Sequence, residues 1–276
     1  MKKSIRNSLL ATCLAVVVSS FSFGAASAAP NYSLVGYANV NGTTTGGAGG
    51  TTVTVTNLTD FKTYASSSSK YIIKVNGNFS LSGQVDVKSN KTILGVGSNS
   101  GFTGGGLRVK GSSNVIIKNL KIAKAVGTDA ISIDSSDHIW IDHNDLSSDL
   151  THDKDYYDGL LDISHGSDYV TVSWNKFHDH YKGSLVGHSD NNSSEDTGHL
   201  KVTYHHNSFV NVNSRIPSLR FGTGHVYNNY IKNASTGAHS RMNAQMLVES
   251  NYFDTVSTPI QNNVDSSTDG YINEKK

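Results

Sequence analysis

The chain has 276 residues and a formal net charge of +1 at pH 7. So balanced a chain is unlike proteins that hold nucleic acid by bulk positive charge. A single cysteine rules out an internal disulfide, yet the length allows a core large enough to do without one.

In chain order, Lys2, Lys3 and Arg6 precede an apolar run from Leu9 to Val18, and Ala26-Ser27-Ala28 stand before Ala29. This reads as a secretory signal peptide, residues 1–28, cut after Ala28. Its apolar run is shorter than the roughly 20 residues of a spanning helix. A soluble, exported protein with one domain over residues 29–276 is expected. Cys13 falls within the leader, and losing Lys2, Lys3 and Arg6 with no acidic residue takes the formal charge from +1 to −2. A polyanionic partner would therefore have to meet a local basic groove.

Beyond the leader, long 3.6-period apolar patterns are missing. Short runs such as Val115-Ile116-Ile117, Ile139-Trp140-Ile141 and Val170-Thr171-Val172 recur between turn residues, which predicts an all-β fold. The runs belong to a repeated unit in which a β run leads to Asn and, two residues on, to a large apolar side chain. The copies are Asn144 with Leu146, Asn175 with Phe177, Asn207 with Phe209, Asn229 with Ile231 and Asn251 with Phe253, after a degenerate copy with Leu120 in the Asn place. Asn-to-Asn spacings of 31, 32, 22 and 22 suit stacked coils of a parallel β-helix, the longer copies carrying loops on one side. Asn tolerates a left-handed bend and can bond to its equivalents above and below, so the Asn ladder is expected to be a structural turn signal. A propeller or a sandwich would show regular hairpin signals, and those are sparse here.

Candidate chemistry is carried by Asp129, Asp158, Asp162, Lys182, Arg215 and Arg220. Asp158 and Asp162, four apart, would sit about 13 Å apart on a straight strand, too far to share an ion. A bend at Gly159 would bring them together; taken alone, the pair reads equally as solvated turn carboxylates. Stacking places Asp129 near the same level, which gives three oxygen donors and no thiol, a set suited to Ca²⁺ rather than zinc or copper. The neighbours His205 and His206 should point to opposite faces of a strand and not share an ion. Arg215 and Arg220, five apart around Pro217, are expected to be re-aimed by a loop into one groove. Read in isolation, they and Lys182 fit ordinary surface cations as well.

With these residues, the sequence resembles the pectate lyases of polysaccharide lyase family 1. The resemblance rests on Ile139-Trp-Ile-Asp-His-Asn144, Asp158-Gly-Leu-Leu-Asp162, Tyr169-Val-Thr-Val-Ser173, Thr203-Tyr-His-His-Asn207, Arg215-Ile-Pro-Ser-Leu-Arg220 and His225-Val-Tyr-Asn-Asn229, in order from about Gly36 to Phe253. It implies a right-handed single-stranded parallel β-helix whose loops form a substrate groove, and Ca²⁺-dependent eliminative cleavage of α-1,4-linked polygalacturonate to 4,5-unsaturated products. By the same resemblance Asp129, Asp158 and Asp162 fall on calcium ligands, Lys182 and Arg220 on substrate-binding cations, and Arg215 on the base. Where some members have a further acidic ligand two residues before Asp129, this chain has Gly127. Arginine ordinarily stays protonated to above pH 12, so an alkaline optimum goes with that assignment.

Other readings are a calcium-independent pectin lyase, a polygalacturonase with paired carboxylates, and a non-catalytic carbohydrate-binding β-helix. One long groove needs no second copy, so a monomer without nucleic acid or membrane partners is expected. The ending at Lys276 reads as a solenoid that stops before its capping segment, as a C-terminally truncated chain would.

Overall fold

A computed structural model describes residues 30–275. The expected leader, with Cys13, lies outside the described residues. From Leu34 onward the chain forms one unit, and among the described residues its strands pair with one another in parallel, antiparallel contact being confined to the isolated bridges Val126–Tyr157 and Arg241–Asp269. A parallel β-helix is thus the architecture; a sandwich or propeller would need antiparallel neighbours.

One face is a ten-stranded sheet running from Thr51–Val55 to Tyr71–Val75 and so on to Tyr271–Lys275. Its register aligns Ile139 with Val170 and Val170 with Val202, and likewise Ile141, Val172 and Tyr204. Those side chains are fully buried while Trp140 between them is not, the period-two alternation of a strand with one wet face. A second face stacks Leu146, Phe177, Phe209, Ile231 and Phe253 in register. Phe177 and Phe209 lie nearly parallel, with ring centroids 4.4 Å apart. Each such buried side chain contributes about 1.5–3 kcal/mol by leaving water. A third face is built from Ile131–Asp134, Leu161–Ser164, Leu185–Val186 and Ser218–Arg220, joined by the latter part of Tyr230–Arg241.

Between the first and second faces runs the Asn ladder. The side-chain amides donate in sequence from Asn144 to Asn175 (3.0 Å), on to Asn207 (3.0 Å), to Asn229 (3.0 Å) and to Asn251 (2.9 Å). Each acceptor oxygen also takes the backbone N–H of the residue above, and the first of the series, Asn144, takes that of Leu120. The left-handed residue of each corner is not the ladder Asn but the one before it: Asn119, His143, Trp174, His206, Asn228 and Ser250 have φ between 53° and 57°. The ladder amides run along the stacking axis, and the bend falls to the residue before each. His143, Trp174 and His206, at successive corners, stack on one another outside the coil. This placement also overturns the expected divergence of His205 and His206. Because His206 turns the corner at φ 56°, its ring comes round to meet that of His205, Nδ1 to Nδ1 at 2.9 Å.

At the N-terminal end of the stack, the helix Leu58–Ala65 covers the coil with Phe61 and Ala65 buried. Asn57 caps it, its side-chain oxygen accepting from the Asp60 N–H at 2.9 Å.

Candidate functional site

The corner between the second and third faces gathers the charged residues. Asp129 and Asp158 precede the third-face strands Ile131–Asp134 and Leu161–Ser164, while Asp162 lies within the latter. Lys182 closes the second-face strand Lys176–Lys182, in register with Ser214 of the next coil, and Arg215 follows directly. Residues far apart in sequence thus share one edge of the solenoid, because each coil returns to that edge.

Asp129 is held by its own coil and the next. Its Oδ2 accepts from Ser132 Oγ at 2.7 Å and its Oδ1 from the Gly159 N–H at 2.8 Å. Asp162 Oδ1 accepts from the Leu185 N–H at 3.0 Å. A Cβ added at Gly159 would lie 2.5 Å from Asp162 Oδ1 and 2.9 Å from Asp129 Oδ1, so both carboxylates converge over this glycine. The crowding shows in their proton affinities. Burial, opposed by the Ser132 hydrogen bond and reinforced by the Asp158 charge, pushes Asp129 up to about 6. Burial, and after it the Asp129 charge, raises Asp162 well above the carboxylate range. Asp158 Oδ1 accepts from Lys182 Nζ at 3.1 Å.

That ammonium also donates to Asp155 at 3.2 Å and its side chain is only 13% exposed, so Lys182 is a packed, paired lysine and not a solvated one. Arg215 adopts φ 61°, ahead of a cis Ile216–Pro217 bond, and its NH1 stands 4.0 Å from Asp162 Oδ2. A cavity of about 310 Å³ is lined by Asp129, Asp158, Asp162 and Arg215. Arg220 does not line it. Its Nε donates to Asp190 at 2.5 Å and its NH1 to the Gly187 carbonyl at 2.8 Å. The expectation that one loop re-aims both arginines holds for Arg215, whereas Arg220 is the buried end of a regular strand.

Asp134, His165 and His188 also line the cavity, and nothing in the sequence singled them out. The two imidazoles, 4.2 Å apart between ring centroids, come from the loops after neighbouring strands, and loop partners carry no periodic signal. A larger cavity, about 890 Å³, lies against the ten-stranded sheet beside Val35, Tyr37 and Val40 and is lined by no carboxylate, lysine or arginine. The smaller one is therefore the candidate active site.

Among the described residues, no three side chains of His, Cys, Asp or Glu form a ready-made metal set. Asp129 and Asp162 converge as a pair over Gly159, while Asp158 accepts from Lys182. The donor chemistry still suits calcium. The donors are hard oxygens, and the Asp158 charge raises the proton affinity of Asp129 as the Asp129 charge raises that of Asp162, a repulsion that a divalent cation would relieve. Gly127, with φ 62° and open space where a Cβ would stand, brings no carboxylate of its own.

The family model described as pectate lyase matches residues 6–274. A probable pectate lyase A of Neosartorya fischeri is 52% identical over 227 residues, covering 81% of this chain and 71% of its own. Pectate lyase A of Aspergillus niger is 51% identical over 221 residues, covering 79% and 68%. The crystal structure of a pectate lyase from Bacillus sp. N165 in complex with trigalacturonate superimposes with a TM-score of 0.82 at 37% identity, over 88% of this chain and 86% of that one. A pectate lyase variant from Xanthomonas campestris gives 0.75 at 31% identity, over 88% and 81%. Coil architecture, motif order and these likenesses agree: the chain belongs to the pectate lyase family.

Proposed function

We propose that this polysaccharide lyase is exported by its N-terminal leader and cleaves α-1,4-linked polygalacturonate by calcium-dependent β-elimination, giving 4,5-unsaturated oligogalacturonides. The observation that carries the reading is the approach of Arg215 to within 4.0 Å of Asp162 at the corner where Asp129 and Asp162 converge. Trigalacturonate in the related Bacillus enzyme supports a polyuronate as substrate.

The chemistry follows from the uronate. Its C5 hydrogen is acidified by the adjacent carboxylate. Arg215 takes that proton, the C5–H electron pair becomes the C4–C5 double bond, and the C4–O bond breaks, with solvent protonating the leaving oxygen. Calcium, held by Asp129, Asp158 and Asp162, would withdraw charge from the substrate carboxylate as a Lewis acid. Lys182, hydrogen-bonded to Asp155 and Asp158, would neutralise the same developing charge, and Arg220 would provide a second fixed cation. A guanidinium yields its proton only at high pH, so the rate is expected to climb on the alkaline side.

The test is the ultraviolet absorbance of the new conjugated double bond during incubation with polygalacturonate at alkaline pH. The parent should give a rise that chelator abolishes and added calcium restores, and Arg215→Ala should lose about 10²–10⁴-fold in kcat. Depolymerisation without that absorbance would replace elimination by hydrolysis, and a rate indifferent to chelator would remove calcium from the scheme. For the leader, the N-terminus of protein recovered from medium should be Ala29.

A further inference from the structure

The candidate cavity does not account for one buried charge cluster. Arg220 ends its strand 9% exposed, and the next coil places Arg241 in register with it. Two guanidiniums on adjacent coils repel, and Arg241 is indeed held below the usual arginine range, first by burial and then by the Arg220 charge. Asp190 meets both, and Asp265 adds its charge at Arg241. Asp190 Oδ1 accepts from Arg220 Nε at 2.5 Å and from Ser266 Oγ at 2.9 Å, and stands 3.8 Å from Arg241 NH2. Its Oδ2 accepts from the Ser267 N–H at 3.3 Å. Ser266 in turn accepts from Arg241 Nε at 2.7 Å, and the Arg241 NH2 donates to the Asp265 carbonyl. Asp190 therefore joins three segments: its own loop after Leu185–Val186, the strand ending at Arg220, and the turn over residues 262–269.

The consequence lies in the donors left over. With Nε on Asp190 and NH1 on the Gly187 carbonyl, Arg220 has NH2 as its one nitrogen without a hydrogen-bond partner among the described residues. The backbone is shaped for this: Gly187 has φ 81°, and a Cβ there would lie 3.0 Å from Arg220 Cβ. A planar guanidinium fixed at two of its three nitrogens has lost its rotational freedom before substrate arrives, and binding then costs less entropy.

We propose that Asp190 is a positioning residue: clamped by Ser266 and Ser267, it sets the Arg220 guanidinium so that NH2 alone is offered to a uronate carboxylate, and it makes the 262–269 turn part of the substrate-binding apparatus. This rests on Arg220 being a substrate-binding cation.

The test is a double-mutant cycle on polygalacturonate with Arg220→Ala, Asp190→Ala and the pair, each checked for native circular dichroism. Asp190→Ala should raise KM about fivefold or more with a smaller change in kcat, and the pair should be no worse than Arg220→Ala alone, because coupled residues are not additive. Asp190→Asn keeps an acceptor oxygen for Nε and should recover part of the loss. If Arg220→Ala leaves KM unchanged, the substrate role of Arg220 fails and the proposal with it. If Arg220→Ala raises KM but Asp190→Ala does not, or if the two effects multiply, Asp190 does not act through Arg220. Should Asp190→Ala not fold, Ser266→Ala decides: a KM rise of about twofold or more supports the clamp, and an unchanged KM overturns it.

Discussion

Gly159 shows at the scale of one residue how the site depends on what is left out. Its missing side chain is the space into which Asp129 and Asp162 both point, 2.9 and 2.5 Å from where a Cβ would be. Gly159→Ala should therefore push the carboxylates apart and weaken calcium binding by about tenfold or more, a loss of about 1.4 kcal/mol, while circular dichroism stays that of the parent. Isothermal titration with calcium checks this, and an unchanged affinity would move the ion elsewhere. The bend at Gly159 is readable from the sequence, because a glycine between two carboxylates is a recognisable hinge. The partners of Lys182 are not, since Asp155 belongs to a loop with no pattern. Lys91 is less legible still: it is fully buried and gives all three ammonium hydrogens to the carbonyls of Ser67, Ser69 and Ser89.

At the scale of the element, the Asn ladder joins the coils by side chains as the strands do by backbone. Removing one member strands several buried groups. In Asn207→Ala the Asn175 backbone and amide N–H groups lose their acceptor, and the Val172 carbonyl loses its donor. At about 1–3 kcal/mol for each unsatisfied buried group, the variant should lose about 3 kcal/mol or more. Urea denaturation measures it, and a midpoint equal to the parent's would show that the ladder is replaceable by water. The ladder was legible because its residue type repeats. Its left-handed partner was not, because Asn119, His143, Trp174, His206, Asn228 and Ser250 share a conformation without sharing a chemistry.

For the molecule as a whole, buried imidazoles set the acid limit. Burial holds His205 and His239 down to about 4, with the His206 and Arg241 charges respectively adding to it. The unfolded chain, with histidine near 6.5, binds more protons than the folded one between those values. Stability from these groups is therefore complete above pH 6.5 and is lost as pH falls towards 4, each contributing up to about 1.4 kcal/mol per pH unit. Asp129 and Asp162, raised in the folded state, act in the opposite sense, so the difference between parent and His239→Gln isolates one imidazole. Urea midpoints measured from pH 7 down to 4.5 should converge, or cross in favour of the variant. A constant gap would mean that His239 does not take part.

By itself the sequence determined the all-β coil repeat, the ladder and the order of the charged motifs, because these depend on residue type at a period the chain displays to any reader. Only the tertiary structure decided that Asp129, Asp158, Asp162, Lys182 and Arg215 share an edge, and that Arg220 turns instead to Asp190 and the turn around Ser266. The Lys182–Asp158 and Asp190–Ser266 hydrogen bonds, for example, join residues 24 and 76 positions apart. The reason is geometric: each coil's strands can be read locally, but the loop lengths between them set which side chains return to the same height, and loops carry no period from which that height can be read.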